Sequence, residues 1–346
     1  MKHEVNVPCT VCGGSESQLL HAIDYQRFSY PGLFQIRQCQ SCGLIFNSPR
    51  LTDDGIVRLY DGNYYVFLEP PTDALSRVAT LMHQTVATVS AQVPDKRMLE
   101  VGCAKGYLLA IMAELGWTVA GVELSEDAAE HARHQLGQQV YTGTLQAHVT
   151  SDQFSPYPLV VSTDVIEHVT DLEGFVRACH RAVAPGGLLL LGTPNADSIH
   201  RHRQGERWLG FNPFHIFLFN RHNLGTLLAR HGFEVVQAYT CNNTDDPPPL
   251  MPQDSPLKKF ARRGLQATGL MAIVRDVMAH KPSPSATGHH GKNLSLPDAV
   301  RHTAQELRQR PPYFSTTDGS HPRSAACLGD NLVVVARRQA EPGTGS

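Results

Sequence analysis

The stretch from Met98 to Leu124 constrains the fold of this chain more than any other part of the sequence. It reads as a short apolar strand, a turn over Gly102–Gly106, a segment with helical apolar spacing, and a second strand that ends on Glu123. In an open parallel sheet, this order places a tight turn, a helix N-terminus and a carboxylate around one crevice. The stretch therefore predicts a binding site for an adenosine-containing cofactor.

The glycine spacing of this turn distinguishes between classes of cofactor. The dinucleotide fingerprint G-x-G-x-x-G would need glycine where the chain has Ala104 and Tyr107. The pattern E/D-x-G-x-G-x-G keeps Glu100, Gly102 and Gly106 and departs only at Ala104. The stretch resembles the first motif of class I S-adenosylmethionine-dependent methyltransferases. An ordinary βαβ unit without a cofactor is the alternative.

Two later segments carry the same resemblance. Leu159–Thr163 is a continuous apolar run, as in a buried parallel strand, and it is followed by Asp164-Val-Ile-Glu-His-Val169. A second apolar run, Leu188–Gly192, lies between Pro-Gly-Gly and Thr-Pro-Asn. Their order resembles the pattern of methyltransferases such as those of ubiquinone biosynthesis.

The resemblance implies an α/β fold: a seven-stranded Rossmann-like sheet with helices on both faces. Phe233–Thr240 is expected as strand six, and Asn331–Arg338 as a seventh strand inserted antiparallel beside it. The resemblance also implies S-adenosylmethionine as the cofactor. Glu123 would bind its ribose, and Tyr65, in the segment before the core, would approach the bound cofactor. Thr144 stands where the family often has an acid for the adenine. The cofactor contacts expected from the resemblance are Tyr65, Glu100, Gly102, Cys103, Ala104, Gly106, Glu123, Leu124, Thr144, Asp164 and Val165.

His168 is the first candidate for a general base, because it follows the fourth strand at the ligand side of the sheet and imidazole titrates near neutrality. A histidine that only hydrogen-bonds its own loop is the alternative. Related methyltransferases carry acceptor contacts after strand five, where this chain has an aromatic and basic stretch containing Trp208 and His215. His215 is therefore a second candidate base. Asp164, Glu167 and His168 could instead contribute to a divalent-metal site.

Four cysteines form two C-x-x-C-G units near the N-terminus: Cys9, Cys12, Cys39 and Cys42. Two such pairs at this spacing are typical of a tetrahedral zinc site with four thiolate ligands. Because a closed four-thiolate site has no open position for a substrate, the predicted zinc ribbon is structural. Disulfides, a redox pair and a recognition module are the alternatives.

Composition limits the classes of partner. The 346 residues carry a net charge of −2, which argues against a general nucleic-acid binder, and 41% are hydrophobic, enough for a sizeable core. With no apolar leader and no run long enough to span a membrane, we expect a cytoplasmic protein with reduced cysteines. A homodimer is a further expectation.

The predicted organisation divides the chain into six segments. A basic amphipathic helix, expected over 257–280, packs on the core in the favoured interpretation; a subunit contact is second and a membrane surface third. The segments are a zinc ribbon (1–50), a linker and helical lead-in (51–96), the cofactor-binding core (97–240), an insertion or lid (241–330), the last core strand (331–338) and a disordered tail (339–346).

Together these features predict methyl transfer from S-adenosylmethionine to a small-molecule acceptor, on an oxygen of a sugar or specialised metabolite. Carbon or nitrogen methylation is the first alternative. A zinc-ribbon protein that binds the cofactor without turning it over, and an RNA methyltransferase guided by the ribbon, are the others.

Overall fold

A computed structural model describes residues 3–4, 8–27, 30–57, 69–242, 294–311, 313 and 329–339. The strands are β1 His3–Glu4, β2 Ser17–Arg27, β3 Tyr30–Cys39, β4 Ile45–Asn47, β5 Arg50–Leu51, β6 Arg97–Val101, β7 Thr118–Glu123, β8 Val140–Thr142, β9 Tyr157–Thr163, β10 Val183–Pro194, β11 Phe217–Leu218, β12 Phe233–Cys241 and β13 Asn331–Arg338. The helices are α1 Asp53–Val57, α2 Pro71–Gln84, α3 Val86–Val89, α4 Tyr107–Glu114, α5 Glu126–Leu136, α6 Leu145–His148, α7 Leu172–Ala182, α8 Ile199–Gln204, α9 Arg221–Arg230 and α10 Leu296–Gln309.

The main sheet has seven strands in the order β12-β13-β10-β9-β6-β7-β8. The five strands from β10 to β8 are parallel, whereas β13 is antiparallel to both of its neighbours. The expected α/β fold, with its inserted antiparallel seventh strand, is confirmed. The carboxyl ends of β6, β7, β9 and β10 meet at one edge of the sheet, where such folds bind ligands.

Apolar side chains on both faces of the strands explain why helices cover the sheet on two sides. Along β10, Leu188 and Leu190 belong to one buried cluster, while Leu189 and Leu191 belong to the other. This alternation follows the two-residue period of a strand. The first cluster includes residues of α2, α4 and α10, and the second includes residues of α7 and α9.

A second sheet of four strands, in the order β11-β4-β3-β2, contains the cysteine segment. Its hairpin β2–β3 spans the predicted gap between the two C-x-x-C units. The edge strand β11 comes from after β10, and Phe217 pairs with Phe46 of β4. The β4–β11 pairing therefore joins this N-terminal sheet to the segment that follows β10 at the ligand edge of the main sheet.

Local contacts set two element boundaries. Helix α2 begins at Pro71, since proline is tolerated at a first helical position, and ends before Thr85, whose hydroxyl donates 2.6 Å to the Leu81 carbonyl. Strand β10 begins at Val183 rather than Leu188, because Val183 pairs with Tyr157 before an irregularity in the ladder.

Parts of the predicted organisation lie outside the described residues: the amphipathic helix 257–280, most of the rest of the insertion 241–330, and the tail from 340. Helix α10 begins at Leu296, within the predicted insertion, after Ser295 as N-cap. Its buried side chains Val300 and Leu307 pack in the same cluster as α4. None of the helices in the described ranges is long and apolar enough to cross a membrane.

Candidate functional site

The turn between β6 and α4 has the backbone of a close-approach ligand site. Gly102 has φ +76° and Gly106 has φ +78°, and Ala104 between them is also left-handed at φ +45°. A Cβ at position 102 would lie 2.4 Å from Cγ2 of Val165, a residue that follows β9. Only glycine fits there without displacing the neighbouring loop, which brings two of the predicted cofactor segments into contact.

Glu123, at the end of β7, closes this turn. Its carboxylate accepts hydrogen bonds of 2.8 Å from the backbone N–H of Ala104 and of Ser125. Burial raises the pKa of Glu123, although these backbone donors oppose the shift. Because each carboxylate oxygen has two lone pairs, the same group can still accept from a ribose hydroxyl.

Glu100 leaves a buried polar atom beside the turn. The residue is 7% exposed, and its Oε2 has no hydrogen-bond partner. Burial, and then the charge of Glu123, raise the pKa of Glu100 well above its usual range. An ammonium group, such as that of the methionine part of S-adenosylmethionine, would compensate this carboxylate, so the residues present fit the expected cofactor.

The remaining predicted cofactor residues are placed unevenly. Cys103 is buried and its sulfur faces Gly121 of β7. Leu124 is 55% exposed at the end of β7. The Thr144 hydroxyl accepts from the backbone N–H of Ala147 and so caps α6, a role that competes with an adenine contact. Asp164 has φ +56° directly after β9, and burial raises its pKa. Tyr65 lies outside the described residues.

The two candidate bases lie together, although 47 residues of chain separate them. The imidazole centroids of His168 and His215 are 4.9 Å apart. His168 Nδ1 lies 3.0 Å from the Phe214 carbonyl oxygen, and His215 Nδ1 lies 2.9 Å from that of Gly210. Since a carbonyl only accepts, His168 Nδ1 carries hydrogen. His215 Nδ1 also lies 3.1 Å from the donor Nδ2 of Asn212, but the Gly210 carbonyl is closer and assigns a hydrogen to this Nδ1 as well, so the lone pair of each neutral ring is assigned to Nε2.

Burial keeps both imidazoles neutral. It lowers the pKa of His168 to about 3, with the charge of His215 as a second cause and the Phe214 carbonyl opposing both. It also lowers the pKa of His215 to about 4. At neutral pH each ring can therefore accept a proton at Nε2 only when a positive charge elsewhere in the site is lost at the same time.

Glu167 completes a cluster with the two histidines. Its side chain is fully buried; Oε2 accepts 2.9 Å from the Thr193 hydroxyl, and Oε1 lies 3.7 Å from His168 Nε2 without a hydrogen bond of its own. One ligand atom from each of Glu167, His168 and His215 lies within 4.8 Å of the others. The metal alternative predicted from the sequence used Asp164 as its third member; the grouping found here has His215 in that place.

The four N-terminal cysteines form a separate cluster. Their sulfurs all lie within 4.8 Å of one another, with Cys9 to Cys42 and Cys12 to Cys39 at 3.5 Å each. These distances are far beyond an S–S bond and close to the ~3.8 Å between thiolates around tetrahedral zinc. Hydrogen bonds from backbone N–H groups and from Cys12 and Cys9 together outweigh burial and lower the pKa of Cys39 to about 7, whereas burial raises the pKa of Cys9 and raises that of Cys42 to about 11. The donor set suits zinc.

Comparison with known proteins agrees with this geometry. Residues 74–238 match the family model described as "Methyltransferase domain". The chain carries a class I S-adenosylmethionine-dependent methyltransferase domain. This domain contains the cofactor turn, Glu123, the Asp164–Val169 loop and the His168–His215 pair.

Two curated relatives and one solved structure illustrate the similarity. A ubiquinone biosynthesis O-methyltransferase of Caulobacter sp. (strain K31) is 37% identical over 103 residues, 29% of this chain and 41% of the relative. A probable S-adenosylmethionine-dependent methyltransferase of Mycolicibacterium smegmatis is 33% identical over 139 residues, 40% of this chain and 52% of the relative. The chain thus spans about half the length of these relatives. A SAM-dependent methyltransferase structure from Archaeoglobus fulgidus aligns over 80% of this chain and 100% of its own, with 14% identity and a TM-score of 0.46.

Sequence reasoning missed the residues that support the histidine pair. Thr193, which holds Glu167, belongs to the Thr-Pro-Asn sequence that was noted only as a motif. Asn212 and Asn47, which link the turn before β11 to strand β4, carry no pattern in a single sequence. Asn212 stands in the aromatic stretch that was singled out for Trp208 and His215, so its position was the one available signal.

Proposed function

We propose that the protein transfers the methyl group of S-adenosylmethionine to an oxygen of a small-molecule acceptor, such as a sugar or a specialised metabolite. The observation that carries this proposal is the His168–His215 pair, two neutral imidazoles with their lone pairs on Nε2, at the ligand edge of the sheet. An acceptor hydroxyl needs a base at the moment of transfer, and His168 is the candidate.

Charge balance makes a base of low pKa reasonable here. The methyl group moves from the sulfonium sulfur to the acceptor oxygen, the O–H bond breaks, and His168 Nε2 takes the proton. The sulfonium loses its positive charge as the imidazole gains one, so the pocket holds one positive charge before and after the step. Burial, and then the charge of Asp164, raise the pKa of Glu167 well above its usual range; in its ionised form Glu167, 3.7 Å from Nε2, would stabilise the imidazolium.

The cofactor part of the proposal is tested by calorimetric titration with S-adenosylmethionine. Wild-type protein should bind, and Glu123→Ala should bind at least about tenfold more weakly, because the carboxylate both closes the turn and faces the ribose site. The exposed Glu126→Ala is the matched control. Absence of binding by the folded wild-type protein would contradict the assignment, unless an acceptor must bind first.

The catalytic part is tested by a methyl-transfer assay over a panel of hydroxylated acceptors, with His168→Gln and His215→Gln. His168→Gln should lose about 10²–10⁴-fold in kcat while keeping its cofactor affinity. Products methylated on carbon or nitrogen would select the first alternative. A folded protein that binds the cofactor and never turns it over would favour the non-catalytic cofactor-binding protein. Salt-dependent RNA binding would favour the RNA methyltransferase.

A divalent cation held by Glu167, His168 and His215 is a second candidate for activating the acceptor. Two imidazole nitrogens and a buried carboxylate are a plausible ligand set, and a cation would satisfy the unpaired Glu167 Oε1. Metal analysis separates the two mechanisms: the second candidate requires one metal in addition to that of the cysteines, lost in His215→Gln. If the wild-type protein and His215→Gln each contain one metal per chain, the mechanism with His168 as the base is favoured.

We further propose that Cys9, Cys12, Cys39 and Cys42 hold a structural zinc ion. Their geometry supports four thiolates, which need a reducing compartment to persist, and this supports a cytoplasmic location. Metal analysis of Cys39→Ser should show loss of zinc. Hydrogen exchange of the same variant should show loss of the N-terminal sheet. A homodimer remains a proposal, for which the mass in solution is the test.

A further inference from the structure

One buried side chain organises the turn that carries the histidine contacts. Asn212 is 9% exposed, and its Oδ1 accepts from the backbone N–H of Phe214 at 3.0 Å and of His215 at 2.9 Å. Because Oδ1 accepts twice, the amide orientation is fixed. Nδ2 donates 3.1 Å to the Leu209 carbonyl and also lies 3.1 Å from His215 Nδ1. These three hydrogen bonds define the backbone path of residues 209–215, here called the histidine-support turn.

Both imidazoles depend on carbonyl groups of this turn. His168 donates from Nδ1 to Phe214, and His215 donates from Nδ1 to Gly210. The direction of these two carbonyls sets which nitrogen carries hydrogen and where each Nε2 lone pair points. Two residues after the turn, the Phe217 N–H of β11 donates 3.2 Å to the Glu167 carbonyl.

The N-terminal sheet holds the turn from its other side. Asn47, the last residue of β4 and 3% exposed, donates from Nδ2 to the Asn212 carbonyl at 3.1 Å and from its backbone N–H to the Ile216 carbonyl at 2.9 Å. Strand β4 begins three residues after Cys42. The Tyr25 ring of β2 also meets the Phe214 ring edge to face, with centroids 5.8 Å apart.

We propose that Asn212 is a positioning residue for the reaction: held by Asn47 of the cysteine-bearing sheet, it sets the tautomer and orientation of both His168 and His215. The N-terminal sheet thereby becomes part of the catalytic framework. The catalytic meaning rests on the proposed function, whereas the positioning itself is a property of the folded chain and is measured without an acceptor.

The test is nitrogen-15 histidine NMR of the metal-loaded full chain. The wild-type spectrum should contain one Nδ1–H signal from His168 and one from His215. The first should be absent in His168→Gln and the second in His215→Gln. In Asn212→Ala both signatures should be lost or averaged between tautomers, while the affinity for S-adenosylmethionine changes by less than about threefold. Persistence of both signatures in a folded Asn212→Ala protein would overturn the proposal.

Matched variants separate positioning from general destabilisation. Asn220→Ala removes an asparagine that caps α9, so it should lower stability and leave both imidazole signatures intact. If Asn212→Ala does not fold, Asn47→Ala takes its place, since it removes only the link from the N-terminal sheet. Faster exchange of both imidazole N–H groups is expected in Asn47→Ala, and unchanged exchange would overturn the role of that sheet.

Arg230→Ala is the control for Asn47→Ala. It removes a different hydrogen bond to the N-terminal segment, from the guanidinium to the Val11 carbonyl, and should leave the imidazole N–H groups unchanged. Once an acceptor is known, Asn212→Ala should lower kcat by about tenfold or more with little change in the KM for the cofactor. If wild-type protein methylates nothing, the proposed function fails, and the NMR result still decides whether Asn212 positions the pair.

Discussion

The glycines before and after helix α4 differ: one needs only its conformation, and the other also needs the space that a side chain would fill. Gly102 and Gly116 both have positive φ, at +76° and +86°. An added Cβ would meet Val165 Cγ2 at 2.4 Å from Gly102 but would meet nothing within 4 Å from Gly116. The two positions therefore allow strain and collision to be measured separately.

Gly102→Ala should weaken S-adenosylmethionine binding strongly and lower the free energy of unfolding by about 1–3 kcal/mol, because backbone strain adds to displacement of the 164–169 loop. Gly116→Ala should show the strain alone and bind the cofactor normally. Calorimetry and urea unfolding of both variants check this. Equal cofactor affinity in the two would show that Val165 does not define the site.

The buried carboxylate of Glu100 predicts a pH-dependent stability. Burial raises its pKa well above the usual 4.5, so the folded chain holds a proton that the unfolded chain releases. The folded state binds more protons between these two values, and its contribution to stability is complete below pH 4.5 and lost as pH rises towards the folded pKa. Relative to Glu100→Gln, the wild-type free energy of unfolding should therefore fall with rising pH. Glu114→Gln, at an exposed position on α4, is the matched control.

At the scale of elements, the sequence predicts strands that are continuous apolar runs. It misses strands that form only by pairing with a segment far away in the chain. Strand β13 is predicted at Asn331–Arg338, as found, because its continuous apolar run Leu332–Ala336 needs no partner to be recognised. Strand β11 is only two residues long, and it exists because Phe217 and Leu218 find β4, 170 residues earlier. No local pattern encodes such a pairing.

The β4–β11 pairing predicts that the cysteine cluster and the histidine-support turn open together. After zinc is removed by a chelator under reducing conditions, amides of Ile45–Asn47 and of Leu218 should lose protection from hydrogen exchange, because a small sheet has little core without its metal. The Phe217 amide is left out of this test, because it donates to the Glu167 carbonyl. Amides of Leu159–Thr163 in the main sheet are the internal control. Retained protection of β11 in metal-free protein would show that the main sheet alone holds this strand.

At the scale of the whole molecule, the candidate site joins three parts of the chain. The cofactor turn comes from the start of the main sheet, the histidines from the ends of β9 and β10 and the segment after them, and their support from the N-terminal sheet. The sequence indicates the first part by its glycine spacing and the second by the Asp164–Val169 motif. It does not indicate the third, because a hydrogen bond between Asn47 and Asn212 depends on the folded path of both segments.

Cofactor binding should therefore stabilise the protein by linkage, since the turn, Glu123 and the 164–169 loop exist only in the folded state. At a cofactor concentration one hundred times its Kd, the free energy of unfolding should rise by about 2.7 kcal/mol. Urea unfolding with and without S-adenosylmethionine measures this rise, which should fall to about 1.4 kcal/mol or less in Glu123→Ala at the same concentration, because a tenfold weaker Kd leaves the cofactor at ten times that Kd, and should persist in full in Glu126→Ala. An undiminished rise in Glu123→Ala would place the cofactor elsewhere, because that variant removes the carboxylate that holds Ala104 and Ser125 in the turn.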